Sequence, residues 1–406
     1  MAEYQITRLG HLGEGIAEGP VYAPLTLPGE TVSGELEGNR LSGVRVVSPS
    51  DARVSPVCRH FKTCGGCALQ HASDDFVAAW KQEVVEKALS AQGLSGDFRP
   101  IQTSPKQSRR RASFSVRRTK KGAMAGFHAR GSDVIVEIPD CQLLSPKVLA
   151  GRKIAEELAI IGCSRKGEIS VSVTDSLNGL DISVRDGKPL DGPLRIELAA
   201  MVEAHQLARL AWEDEVVAMA VPPEQAFGPA RVVPPSGAFL QATADGEAAL
   251  LRGLKEAVGS SKFVVDLFAG CGTFSLPLAE TAEVTAYEGD KSMIEALDKG
   301  WRMASGLKKL SASARDLFRN PLMAEDLKKF DAITIDPPRA GALAQVQEIA
   351  RSKVPVVGFV SCNPVTFARD AKVLVEGGYK LDWLQVVDQF RWSAHIEIVA
   401  RFEKST

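Results

Sequence analysis

No apolar run in this sequence approaches the roughly 18 residues that a membrane span needs. The first residues, Met1-Ala2-Glu3-Tyr4-Gln5, lack the basic start and apolar core of an export signal, so a cytoplasmic protein is expected. Internal repeats and low-complexity segments are absent. An excess of one charge is absent too: 49 Lys and Arg stand against 50 Asp and Glu, and a net charge of −1 gives no reason in itself to expect a polyanionic partner. Disulfides are not expected among the seven cysteines in a reducing compartment, which leaves metal binding, catalysis or simple burial to explain them. What is present is 45% apolar and 24% charged residues over 406 positions, ordinary for a soluble chain of two or three domains.

A near-zero average can hide a local patch. Between Arg99 and Arg130 there are ten basic residues (Arg99, Lys106, Arg109, Arg110, Arg111, Arg117, Arg118, Lys120, Lys121 and Arg130) and no acid. This segment is either a solvated face or a surface for phosphates.

Three regions differ in pattern. Residues 1–55 hold short alternating runs punctuated by turn residues, such as Gly19-Pro20-Val21-Tyr22-Ala23-Pro24, and read as a small OB-like β-barrel. Residues 56–235 begin with a cysteine group, continue with helical spacing from Asp75 to Gln92 that is expected to pack against it, and become β-rich. There Ile169 to Thr174 and Leu180 to Val184 alternate on either side of the turn Ser176-Leu177-Asn178-Gly179, which is a hairpin with one wet face. Residues 236–406 alternate strand and helix, the pattern of a mostly parallel α/β sheet covered on both faces and closed by an antiparallel edge.

The chemistry lies in that last region. Val264 to Leu267 is an apolar strand that runs into Phe268-Ala269-Gly270-Cys271-Gly272-Thr273, where glycines let the backbone turn tightly at a helix start. About twenty residues after Asp266 the next strand ends in Glu288, placed to accept the two ribose hydroxyls of an adenosine cofactor. The third glycine of a dinucleotide fingerprint is missing, since Ser275 follows Gly270 and Gly272 at that point. Asp336-Pro337-Pro338-Arg339, Ser361-Cys362-Asn363-Pro364 and His395-Ile396-Glu397 sit at later strand ends. Asn363 is a helix cap and Pro364 suits the first turn, so the Cys362 thiol is expected to sit at a helix N-terminus with a lowered pKa. A thiolate can add to C6 of a pyrimidine and make C5 nucleophilic, after which a base must remove the C5 proton. Cys362 and Glu397 are the candidates for those two roles.

With these motifs the chain resembles the RNA uracil-C5 methyltransferase family, which makes 5-methyluridine in 23S ribosomal RNA and tRNA. Phe239-Leu240-Gln241 resembles the family's Phe-x-Gln segment, Asp266 to Gly272 its first motif, Asp336 to Arg339 its Asp-Pro-Pro-Arg, Ser361 to Pro364 its nucleophile motif and His395 to Glu397 its closing motif. The resemblance implies a Rossmann-like class I methyltransferase domain, S-adenosyl-L-methionine as cofactor, and Gln241, Phe268, Thr273, Glu288, Asp316 and Asp336 around it. Thr273 and Asp316 depart from the asparagine that family members often carry. Gly13-Glu14-Gly15-Ile16-Ala17 and Leu27-Pro28-Gly29-Glu30 are similar to the TRAM domain, an RNA-binding OB-like barrel, and Arg109 to Ala112 with Gly126-Phe127-His128 are similar to the family's central domain, which favours phosphate contact for the basic segment.

Cys58, Cys64, Cys67 and Cys141 offer four thiolates, and spacing leaves zinc and iron-sulfur both open. The resemblance to the ribosomal-RNA branch implies a [4Fe-4S] cluster with a structural or RNA-contacting role, and RNA, most often 23S rRNA, as partner to a monomer that engages neither membrane nor DNA. Other readings are a tRNA uridine or a cytosine-C5 methyltransferase, a non-catalytic ribosome-assembly factor, and an electron carrier.

Overall fold

A computed structural model describes residues 2–405. Glu3–Leu9, Gly15–Ala17, Val21–Ala23, Thr31–Glu37 and Arg40–Ser48 form a closed barrel around Ile6, Ala17, Val21, Ala23, Val32 and Leu41. Closure leaves this small unit no open strand edge. A seven-stranded sheet follows, ordered Glu215–Met219, Arg209–Trp212, Gly179–Arg185, Glu168–Ser176, Arg111–Thr119, Gly122–His128, Ile135–Glu137. Its expected hairpin is present, with Ser176 opposite Gly179, and helices Pro146–Gly162 and Gly192–Ala204 supply the apolar cover that includes Leu158, Ala159 and Leu198.

The C-terminal sheet has eight strands in the order Leu310–Ala314, Glu283–Glu288, Phe263–Leu267, Ala332–Ile335, Val356–Ser361, Glu397–Lys404, Tyr379–Asp388, Phe98–Thr103. The first five are mutually parallel, and Glu397–Lys404 is antiparallel to both neighbours. Parallel strands buried on both faces explain the unbroken apolar character of Val264, Val265, Ile333, Val357 and Phe359.

Two segments lie elsewhere than sequence reading placed them. Phe98–Thr103, assigned with the central region, pairs in parallel with Tyr379–Asp388 and covers what would otherwise be an open edge. Arg99 seals the junction, stacking 3.6 Å over the Trp383 ring and pairing with Glu256 at 2.5 Å. The helix preceding it, Asp74–Ser90, is capped by Ser73, whose Oγ accepts from Phe76 N at 3.3 Å. It does not pack on the cysteines as expected. Val85 and Leu89 enter the core of the C-terminal sheet, while Val77 and Trp80 meet Leu9 and Leu27 of the barrel. Its apolar face is thus a joint between first and last units. Among the described residues no helix is long and apolar enough to cross a membrane.

Candidate active site

Ends of the parallel strands converge on one side of the sheet, the side where open α/β sheets bind ligands. The strand Phe263–Leu267 delivers Asp266, fully enclosed and accepting from Thr334 Oγ1 at 2.7 Å and from Ser275 Oγ. Burial raises its pKa to about 6. Phe268 then adopts φ +62°, a left-handed conformation that non-glycine residues rarely hold, and Gly270 and Gly272 follow at +56° and +92°. A Cβ on Gly272 would lie 2.8 Å from both Leu276 Cδ1 and Leu297 Cγ. Gly272→Ala is therefore expected to lower stability by about 1–3 kcal/mol and to weaken binding of S-adenosylhomocysteine, both readable in one thermal-shift titration.

Gly270 N donates to Glu288 Oε2 and Asp290 N to Glu288 Oε1, each at 3.0 Å, so the turn holds the carboxylate that ends the neighbouring strand. Asp316 Oδ1 accepts from Phe318 N at 3.0 Å, and the Phe318 ring sits 5.4 Å from that of Phe268. These groups, with Gln241, Thr273, Asp336, Cys362 and Glu397, line one cleft of 470 Å³. All eight catalytic and cofactor candidates read from the sequence thus meet in a single place. Glu288, Asp316, Asp336 and Glu397 give the cleft four carboxyl groups against one lining guanidinium, Arg339. Such a lining disfavours the pyrophosphate of a dinucleotide and suits an adenosine carried on a cationic group. The paired aromatic rings offer the apolar surface that an adenine needs.

Strand register brings nucleophile and base together. Ser361 pairs with Ile398 at the end of the antiparallel ladder, so the residues just beyond, Cys362 and Glu397, come to the same sheet edge, where both line the cleft. Asn363 caps the following helix as expected, its Oδ1 accepting from Val365 N at 3.1 Å, and Pro364 occupies the first turn. The thiol itself departs from expectation. Burial, reinforced by Glu397 and Asp336, pushes its pKa up to about 11, which the helix start and Arg339 do not offset. Glu397 is raised to about 8 by burial and then by Asp336, and Asp336 to about 7 by burial and its acidic neighbours. Desolvation and mutual repulsion raise both acids together, and a cation bound beside them would lower both.

Sequence reading missed two residues here. Gln389 is buried; its Nε2 donates to Gln241 Oε1 at 2.6 Å, its Oε1 accepts from Ala242 N at 2.8 Å, and its side chain also bonds Glu397. Gln241 Nε2 in turn reaches Asp336 Oδ2 at 3.4 Å. Gln389→Leu should leave Ala242 N and Gln241 unpaired, at about 1–3 kcal/mol of stability measured by denaturant unfolding. The second residue is Lys81, buried and paired with Asp388 at 2.6 Å. A charge at position 81, one turn from Val77 and one from Val85 on the buried face, was a legible signal.

The basic segment is not a uniform phosphate face. Arg110 pairs with Glu247 and donates through Nε to Gln241 O at 2.9 Å, and Arg111 Nη1 donates to Leu240 O at 3.1 Å. These arginines dock the segment that carries Gln241. Arg117 is paired with Glu168 at 2.7 Å, whereas Lys120 and Lys121 stay exposed.

Cys58, Cys64, Cys67 and Cys141 lie close enough for their charges to interact. Burial, then the other thiols, pushes Cys67 up to about 12. Among the described residues no group of three or more His, Cys, Asp or Glu side chains is arranged to hold a metal ion. Arg109 and Arg130 stand beside the thiols, each with a buried Nε that has no partner.

A cleft of this kind at the strand ends of a doubly covered sheet defines a class I methyltransferase. A family model described as tRNA (Uracil-5-)-methyltransferase matches residues 234–404. A protein described as an uncharacterized RNA methyltransferase in Rhizobium meliloti is 42% identical over 410 residues, covering 98% of both chains, and one so described in Caulobacter vibrioides is 41% identical over 416 residues, covering 100% of both. The 23S rRNA (uracil(1939)-C(5))-methyltransferase of Shewanella piezotolerans is 32% identical over 427 residues, covering 98% of this chain and 94% of its own. The chain belongs to the RNA uracil-C5 methyltransferase family. Its fold matches that of the Pyrococcus abyssi tRNA (uracil-54, C5)-methyltransferase, solved with S-adenosyl-L-homocysteine, at a TM-score of 0.77 and 21% identity over 98% of this chain and 99% of the other.

Proposed function

We propose that this enzyme methylates C5 of a uridine in 23S rRNA through a transient bond between Cys362 Sγ and C6 of the ring. The observation that carries the reading is that Cys362 and Glu397, the residues next to the paired Ser361 and Ile398, line one cleft. Cys362 gives up its thiol proton to solvent and adds as thiolate to C6, and the electron pair displaced onto the ring makes C5 the nucleophile. When bound, S-adenosyl-L-methionine supplies an electrophilic methyl group and a positive charge that offsets the acids of the cleft. Gln241, Phe268, Thr273, Glu288, Asp316 and Asp336 would hold it. Glu397 in its carboxylate form then takes the C5 proton, the C5–C6 double bond re-forms, and the thiolate leaves with the electrons of the C–S bond. Phe239, exposed at the rim with Arg111 5.4 Å over its ring, is available to stack on a base turned out of its helix.

Ribosomal RNA is favoured over tRNA by the 32% sequence identity to the Shewanella enzyme and by the thiol group, whereas the overall fold is matched along its length by a tRNA enzyme as well. Incubation with methyl-labelled cofactor and deproteinised 23S rRNA or tRNA should label one class at uridine C5. Label in tRNA alone, or in 5-methylcytidine, overturns the assignment.

A [4Fe-4S] cluster on Cys58, Cys64, Cys67 and Cys141 belongs to the same proposal. The donor set is all thiol, it joins two distant segments, and the partnerless guanidinium nitrogens of Arg109 and Arg130 suit an anionic thiolate-bound group. Protein purified without oxygen should carry iron and sulfide that Cys141→Ser loses. Equal iron content in that variant excludes Cys141 as a ligand. The enzyme is proposed to act as a monomer in the cytoplasm.

A further inference from the structure

Lys81 is wholly enclosed, on a helix face otherwise occupied by Val77, Trp80, Val85 and Leu89. Its ammonium donates to Asp388 Oδ1 at 2.6 Å, to Phe390 O at 3.2 Å and to His395 O at 2.9 Å. Three acceptors match its three donors. All three belong to the loop between strands Tyr379–Asp388 and Glu397–Lys404: one at its entry, one just inside, and one two residues before Glu397. Asp388 Oδ1 also accepts from Phe390 N at 3.1 Å, so the ammonium and the carboxylate together gather both ends of this loop. An apolar side chain would fill the same space without removing a charge from water, and a lysine there needs a reason beyond packing. Its charge is also felt at Glu397, where it opposes the effect of burial.

We infer that Lys81 is a positioning residue for the proton-removal step, clamping the loop that aims Glu397 at the substrate. The inference rests on the reaction proposed above and adds a residue from the joint helix, far away in the chain, to its second half. Without the clamp the Cys362 adduct should still form and accept its methyl group, because neither step uses Glu397. The C5 proton then stays on, the C5–C6 double bond cannot re-form, and the C–S bond is not broken. Methylated RNA remains attached to the protein.

Lys81→Met alone leaves Asp388 buried without its partner, so the informative protein is Lys81→Met with Asp388→Asn, in which no charge is stranded and the Asn Oδ1 can still accept from Phe390 N. Full-length double variant and wild type are compared on ordinary substrate RNA with labelled cofactor. Methyl incorporation and covalent RNA–protein complex are followed in denaturing gels, and binding of S-adenosylhomocysteine reports whether the cleft is intact. The expected result is cofactor affinity within about twofold of wild type, methyl incorporation in a single turnover, and release slowed by about 10- to 100-fold with methylated adduct accumulating. Release as fast as wild type overturns the inference. So does equal loss of adduct formation and release, since a merely structural lysine would impair both. Wild-type protein on 5-fluorouridine RNA separates the two failures. No trapping there removes the thiolate reaction and this role with it, whereas trapping there with normal release in the variant removes only the role of Lys81.

Discussion

Cys362→Ala is expected to eliminate methylation, with at least about a 10⁴-fold loss, because carboxylates are too weakly nucleophilic to add to C6 and the other thiol of the cleft, Cys271, is buried. The reason for so complete an effect is local. Cys271 is buried within the glycine turn with its pKa pushed up to about 12 by desolvation, and Cys163 is buried in the core of the central sheet. Neither can stand in. Binding of S-adenosylhomocysteine should be little changed, since Cys362 is not among the residues proposed to hold the cofactor. The measurement is methyl transfer to RNA beside calorimetric titration of the cofactor product, together with trapping on 5-fluorouridine RNA, which Cys362→Ala must not show. Methylation persisting above one part in a hundred would contradict a covalent route.

Glu397→Gln should separate stability from activity in opposite directions. Turnover falls by about 10²- to 10⁴-fold, the range for loss of a general base, and methylated adduct accumulates because only the last step is blocked. Stability moves the other way. The folded-state pKa of Glu397, about 8, lies above its ordinary 4.5, so folding favours the protonated form. Its contribution is therefore complete below about pH 4.5 and lost as pH rises through about 8. Glutamine mimics the protonated acid and carries no such loss. The melting temperature of ligand-free Glu397→Gln should match the wild type near pH 5 and exceed it increasingly between pH 7 and pH 9. A melting temperature below the wild type at pH 9 would show instead that the folded protein stabilises the carboxylate over the protonated acid. Gln389 and Lys81 are the two groups that favour the charged form, and both act less strongly than burial and Asp336.

Much of this site was legible because its parts obey short-range rules. An apolar strand running into Asp-Leu-Phe-Ala-Gly-Cys-Gly must turn sharply, and Gly270 and Gly272 both take the positive φ that such a turn demands. Asn363 and Pro364 announce a helix start and make one. Alternation about Ser176 to Gly179 announces a hairpin and makes one. The errors came where distance in the chain hides proximity. Arg110 and Arg111 read as part of a positive surface because their partners, Glu247 and the carbonyl oxygens of Gln241 and Leu240, lie about 130 residues on. The Cys362 thiol read as a favoured thiolate because the helix start is local, whereas the carboxyls of Asp336 and Glu397 arrive from other strands.

By itself, then, the sequence determined the class of chemistry: which side chains end which strands, where glycine permits the cofactor turn, and that a barrel, a β-rich region and an α/β sheet follow one another. Periodicity and turn preference depend on neighbours within a few residues, so they can be read directly. Only the tertiary structure decided how those ends meet. The pairing of Ser361 with Ile398, the edge strand taken from Phe98–Thr103, and the enclosure of Lys81 against the loop before Glu397 are relations between segments up to 314 residues apart. Protonation followed from the same relations, because the pKa of a buried acid depends on desolvation and on neighbouring charges that packing alone assembles.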